Sequence, residues 1–218
     1  MTLPRRSLFA LPAVALLATP ATPAHAAPAW TQKPFTYKIQ KPYNLPESAR
    51  YKFEGGVHSM WVFDNDKPMS EGSKTDPRTE MRWDQEYSSG QHAWEGEIYV
   101  PSGVNGPTVM QILRVRGGDP GTPATDFMIN ATNANGGTLR YYTSTVIASG
   151  IYNKWVRIRV EHSAVSSGTG KIKVFANGVL KATVSDRGKA TRHFKNGVYH
   201  HGSGRAEARF RNITYWTQ

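Results

Sequence analysis

From Arg78 onward the chain runs in short stretches of alternating apolar and polar residues, each ended by turn formers. A period of two is what a strand with one buried face requires, because successive side chains point to opposite sides of the backbone. The clearest runs are Arg78–Trp83, Ala93–Val100, Thr108–Val115, Asp126–Ile129, Thr138–Thr143, Trp155–Glu161, Lys171–Ala176, Val179–Val184, Gly197–His200 and Ala206–Tyr215. Asn177-Gly178 between two of them is a hairpin signal, since both residues tolerate positive φ. Gly117-Gly118-Asp119-Pro120-Gly121 and Ser166-Ser167-Gly168-Thr169-Gly170 read as loops. No window of helical length carries a 3.6-residue apolar stripe. The pattern predicts an all-β fold, two antiparallel sheets packed as a jelly-roll β-sandwich. Such sandwiches curve, and a concave face lined by alternate residues of several strands makes a groove suited to an extended polymer. Lectins, hydrolases and lyases could all be built on it, so function has to come from the site.

The first 26 residues read as an export signal. Arg5-Arg6 precede an apolar run from Leu8 to Leu17, and Ala24-His25-Ala26 presents small residues where a signal peptidase would cut. Arg5-Arg6-Ser7-Leu8-Phe9 also fits a twin-arginine pattern. The apolar run is too short to span a bilayer. Removal of residues 1–26 leaves one domain, 27–218, and lowers the formal charge from +11 to +9. A secreted, monomeric protein with no membrane contact is expected. Its charge favours an anionic polymer, and the absence of any DNA- or RNA-binding motif argues against nucleic acid. The chain has no cysteine, so disulfides, thiolate metal sites and a Cys nucleophile are excluded. Ala27 to about Pro46 is a Pro-rich lead-in expected to wrap the domain edge.

Four segments carry candidate chemistry. In Arg78-Thr79-Glu80-Met81-Arg82 a strand would set Arg78, Glu80 and Arg82 on one face. Two guanidiniums flanking a carboxylate form a donor array suited to carboxylates, or else an ordinary solvated sheet face. Gln111 lies on a strand between apolar neighbours, where its amide needs partners. In Phe194-Lys195-Asn196-Gly197-Val198-Tyr199, Lys195 and Tyr199 share a face, and a phenol beside basic groups can donate or accept a proton. His58 follows Gly55-Gly56-Val57 and precedes Trp61 and Phe63, a setting equally consistent with a structural histidine. His200-His201 cannot make a metal site alone, since neighbours on a strand face opposite ways.

Taken in order, Arg78-Thr79-Glu80-Met81-Arg82, Gln111-Ile112 and Phe194-Lys195-Asn196-Gly197-Val198-Tyr199 resemble the motif set of the alginate-lyase-type polysaccharide lyases. That set reads R-T-E-x-R, Q-I-H and Y-F-K-x-G-x-Y, and the likeness spans about residues 45–216. It implies a jelly roll of the concanavalin A-like kind that cleaves a polyuronate by β-elimination. Two positions depart from the set: Leu113 stands where the family has histidine, and His193 where it has the first tyrosine. Gly56-Val57-His58-Ser59-Met60-Trp61, Asp66-Lys67-Pro68, Tyr87-Ser88-Ser89-Gly90, Tyr99-Val100-Pro101-Ser102-Gly103 and Asp186-Arg187-Gly188 look closer to a neighbouring branch. That branch holds the glucuronan lyases and the plant citrate-binding proteins. The resemblance to glucuronan lyases maps His58 into the site beside Gln111 and Tyr199.

The activity so implied assigns Gln111 with Arg78 or Arg82 to neutralising the substrate carboxylate, which stabilises an enolate-like dianion. His58 or Tyr199 would take the C5 proton and Tyr199 would protonate the leaving O4. Glu80 would orient the arginines, and Lys195 would hold a neighbouring uronate. No cofactor or catalytic metal is called for, and a bound Ca2+ would be structural. The competing reading is a non-catalytic module for acidic carbohydrate or citrate. A hydrolase would need two carboxylates, for which Glu95 and Glu97 are a same-face pair.

Overall fold

The computed structural model describes residues 29–116 and 118–218, so the export signal expected at 1–26 lies outside the described residues. Fifteen strands follow in chain order: β1 (Thr31–Lys33), β2 (Tyr37–Gln40), β3 (Tyr51–Glu54), β4 (Val57–Phe63), β5 (Arg78–Trp83), β6 (Gly90–Tyr99), β7 (Thr108–Arg116), β8 (Thr125–Thr132), β9 (Thr138–Tyr141), β10 (Thr145–Ser149), β11 (Trp155–Ala164), β12 (Lys171–Ala176), β13 (Val179–Ser185), β14 (Thr191–Tyr199) and β15 (Arg205–Thr217). They form two antiparallel sheets. The eight-stranded one runs β13-β12-β11-β6-β15-β4-β3 with β1 on β15, and the seven-stranded one runs β10-β9-β8-β7-β14-β5-β2. This is the jelly-roll sandwich that the alternation predicts.

The core lies between the sheets. Met60, Val62, Trp94, Ile98, Ile158, Val160 and Phe210 come from one side, and Met81, Trp83, Met110, Ile112, Phe127, Ile129 and Phe194 from the other. Full burial of each such side chain is worth about 1.5–3 kcal/mol. Asn196 is a polar residue among them. Asn196 Oδ1 accepts hydrogen bonds from the indoles of Trp83 at 2.9 Å and Trp94 at 3.2 Å, one from each sheet. These two hydrogen bonds tie the centre of β14, the strand bearing Lys195 and Tyr199, to both sheets.

The Asn177-Gly178 hairpin joins β12 to β13 with φ of 50° and 81°, as its sequence requires. The lead-in does more than wrap an edge: it supplies β1 and β2, and β2 is the edge strand of the seven-stranded sheet beside β5. β14 begins at Thr191, six residues before the run expected from Gly197. Its first half escapes an alternation test because Arg192, His193 and Lys195 are buried along with Phe194. Arg192, for instance, lies inside against Asp126 and Asp186.

Candidate functional site

Paired residues in an antiparallel ladder show their side chains on the same face. On the seven-stranded sheet Lys38 pairs with Arg82, Arg82 with Lys195, and Lys195 with Gln111. Glu80 pairs with Gly197, and Arg78 with Tyr199. Thr79, Met81 and Trp83 fill the core, so this polar ladder lies on the face turned away from it. It is not a solvated face. Glu80 is 0%, Lys195 1%, Gln111 1% and Arg78 7% exposed.

Buried charge demands partners, and Glu80 is where they meet. Its Oε1 accepts from Gln111 Nε2 at 2.5 Å, and its Oε2 binds the Lys195 ammonium. The Arg78 guanidinium stands 3.5 Å from the same Oε2 and packs over the Tyr199 ring, 3.9 Å from its centroid. Arg78 Nε is buried and makes no hydrogen bond. Burial pulls the Lys195 pKa down, Glu80 opposes the fall, and Arg78 adds to it. Gly197 lets this happen: a Cβ there would come within 2.4 Å of Thr79 O and 2.5 Å of Glu80 Cα. Its φ of 152° and the irregular register between Asn196 and Tyr199 belong to the same close approach.

The structure therefore brings together Arg78, Glu80, Gln111, Lys195 and Tyr199. Arg82 shares the face but turns elsewhere. It donates to Glu86 Oε1 at 2.5 Å and stands 3.6 Å from Asp84, so Glu80 orients one arginine rather than two.

His58 is not brought to the cluster. It pairs with Phe210 and Phe53 in the opposite sheet and so takes the inward parity of Met60 and Val62. There it stacks on Phe53 with centroids 4.2 Å apart, meets the edge of Tyr37, and hydrogen-bonds through Nδ1 to the Tyr51 hydroxyl at 2.9 Å. Burial lowers its pKa to about 4, which keeps it neutral at physiological pH.

His193 is the histidine on the cluster side. It pairs with Leu113 and lies two residues before Lys195 on the same strand face. It is 2% exposed, and neither ring nitrogen makes a hydrogen bond. Burial, then Arg82 and Lys195, push its pKa down to about 3. At the rim His201 packs edge-on against Tyr199, 4.1 Å between centroids, and its Nδ1 bonds Asp76 at 2.8 Å.

Glu95 and Glu97 occupy the outer face of the other sheet. Glu95 is held by Arg157 at 2.7 Å and Arg159 at 3.2 Å, while Glu97 binds Arg211, which keeps its carboxyl below the usual range. Neither is disposed as a general acid. Lys38 and Gln40 of β2 are additions that sequence reading passed over, because Pro34 and Pro42 bracket the strand and hide its alternation.

A family model described as alginate lyase matches residues 35–216 of the chain. A citrate-binding protein of Hevea brasiliensis is 41% identical over 191 residues, covering 84% of this chain and 76% of the relative. In three dimensions the chain is similar to an alginate lyase from Pseudomonas aeruginosa, with a TM-score of 0.61 and 16% identity over 84% of this chain and 98% of that one. An endo-β-1,4-glucuronan lyase from the fungus Trichoderma reesei superposes with a TM-score of 0.55 and 14% identity, covering 86% and 91%.

Proposed function

The chain belongs to the alginate lyase family, and on that premise we propose that it is an exported enzyme that cleaves a polyuronate by β-elimination, glucuronan ahead of alginate. One observation carries the reading: three side chains that can neutralise a carboxylate converge on buried Glu80, with a half-buried tyrosine packed against one of them. Removing the C5 proton of a uronate is difficult because the adjacent carboxylate resists a second negative charge. Arg78, Gln111 and Lys195 supply positive charge and donors where that charge develops, in a site already shielded from water. Glu80 fixes their positions before substrate arrives, so little reorganisation is needed.

Tyr199 is the proton-transfer group on this face. Once deprotonated, its oxygen takes the C5 proton, the C4–C5 double bond forms, the C4–O4 bond breaks, and the same proton passes to O4. His58 has no part in this scheme, since it lies on the opposite sheet beside Tyr51. Residues of the chain suffice for every step, and no cofactor is invoked. The order of substrates rests on Leu113, which stands where the alginate-type motif has its histidine.

A second reading has its own support. The Hevea relative is named for binding citrate, and an array that neutralises a uronate carboxylate would also take a small polycarboxylate without turnover. Incubating the mature protein with glucuronan, polymannuronate and polyguluronate separates the two. Elimination leaves an unsaturated uronate that absorbs in the ultraviolet, whereas binding and hydrolysis do not. A rising absorbance with one polymer supports the lyase. A flat trace on all three, with citrate binding by calorimetry, supports the binding protein instead.

A further inference from the structure

We propose that the edge of the seven-stranded sheet at β2 carries a second carboxylate-binding subsite, which holds an acidic sugar of the bound chain some distance from the bond that is cleaved. The inference rests on the polyuronate reading and extends it. A cavity of about 650 Å³ opens there, lined by Lys38, Gln40, Lys41, Tyr43, Met69 and Arg82. That volume lies within the range of ligand pockets. Its lining has three cations and no carboxylate. Among the described residues neither Lys38 nor Lys41 has an ion-pair partner, whereas Arg82 is already engaged by Glu86.

Three further features fit an acidic sugar better than a bare anion. Gln40 Oε1 is buried and accepts no hydrogen bond, a deficit that a sugar hydroxyl would relieve. Tyr43 is 41% and Met69 40% exposed, so an aromatic ring and a thioether are open to the apolar face of a pyranose. The two loops that bear them are tied by a hydrogen bond from Tyr43 N to Pro68 O at 2.9 Å.

The cavity is also in register with the candidate active site. Lys38, Arg82, Lys195 and Gln111 form one cross-strand row over β2, β5, β14 and β7. Two strand spacings separate Lys38 from Lys195 and three separate it from Gln111, about 10 Å and about 14 Å. One uronate cannot reach both ends, and neither can citrate. A polymer lying across the strands reaches both.

The test uses Lys38→Gln/Lys41→Gln in a Tyr199→Phe background, so that no substrate is consumed, and reads affinity by calorimetry. Ligands are a disaccharide and a hexasaccharide of the same uronic acid, with citrate as the short polycarboxylate. Loss of two charge-assisted contacts should weaken the hexasaccharide about tenfold or more and leave the disaccharide and citrate within about twofold of the parent. Tyr43→Ala should act in the same direction without touching charge. An equal loss for long and short ligands, or an unchanged hexasaccharide, overturns the subsite while the polyuronate reading stands. If no uronate oligomer binds the parent protein, both readings fall together.

Discussion

Glu80 is the residue on which the whole array depends, and Glu80→Gln tests that dependence without changing shape. The side chain is wholly buried, accepts from Gln111, binds the equally buried Lys195, and neighbours Arg78. Replacing the carboxylate by an amide leaves Lys195 with no counter-charge in a site it cannot leave. Removing one partner of a buried ion pair costs about 3–5 kcal/mol. For a domain of this size each kcal/mol is worth about 2–4 °C, so Tm should fall by about 10 °C at neutral pH.

The pH dependence fixes the cause. Burial lowers the Lys195 pKa, and the Glu80 contact works against that fall. Without Glu80 the folded protein sheds the proton that the unfolded chain still carries, so the unfolded state binds more protons and stability rises with pH. The deficit of the variant should therefore be large at pH 7 and shrink towards pH 10, near the unfolded lysine value of about 10.4. Urea unfolding followed by circular dichroism at the two pH values measures it. A variant within about 0.5 kcal/mol of wild type at pH 7, or a deficit equal at both pH values, refutes the role of Glu80 as the charge that holds Lys195.

Other outcomes follow from the same geometry. Tyr199→Phe should lose turnover by about a hundredfold or more in the ultraviolet assay and keep its stability, because the ring still stacks on Arg78; retained activity would remove Tyr199 from the chemistry. His58→Gln should leave turnover within about twofold and cost about 1 kcal/mol for the Tyr51 bond; loss of turnover with intact folding would return His58 to the mechanism. His193 titrates at about 3 when folded, against about 6.5 unfolded, so lowering the pH protonates the unfolded chain first and removes about 2 kcal/mol of stability by pH 5. His193→Leu should flatten that acid limb of the stability profile, and an unchanged limb would count against it. Asn196→Leu strands two indole N–H groups and should cost about 2–4 kcal/mol in urea unfolding.

The sequence made the sheet interior legible where one face was apolar and the other polar. Arg78–Trp83 and Lys171–Ala176 show such a pattern, and both strands have those bounds. Legibility failed where ionisable residues occupy both faces or where proline interrupts a run. Thr191–Phe194 belongs to the first kind, since Arg192 is inside with Asp126 while His193 is closed off on the other face. Tyr37–Gln40 belongs to the second. Within the site, spacing alone put Arg78 with Glu80 and Lys195 with Tyr199, because strand parity is local. Whether Gln111 or His58 joined them depended on which sheet each strand entered. Parity says nothing of that. Met60 and Val62, two and four residues past His58, are core residues of the other sheet, which is why the histidine faces inward rather than towards Gln111.

Charge balance in the cluster bears on what it can hold. Arg78 and protonated Lys195 face one carboxylate, Glu80, so the cluster carries a single excess positive charge. One uronate carboxylate completes that balance, and its arrival offsets the burial that depresses the Lys195 pKa. Citrate brings three carboxylates. Two of them would need cations elsewhere, and those of the neighbouring cavity are Lys38 and Lys41, with Lys38 two strand spacings, about 10 Å, from Lys195. A ligand whose negative charges are spaced along a chain meets both sets of cations, and a compact one meets a single set. The separation of the two cationic sites therefore favours a polymer of singly charged sugars over a small polycarboxylate, whatever chemistry Tyr199 performs. If citrate binds, it should do so at one end only, with an affinity that Lys38→Gln/Lys41→Gln leaves alone and Arg78→Ala abolishes.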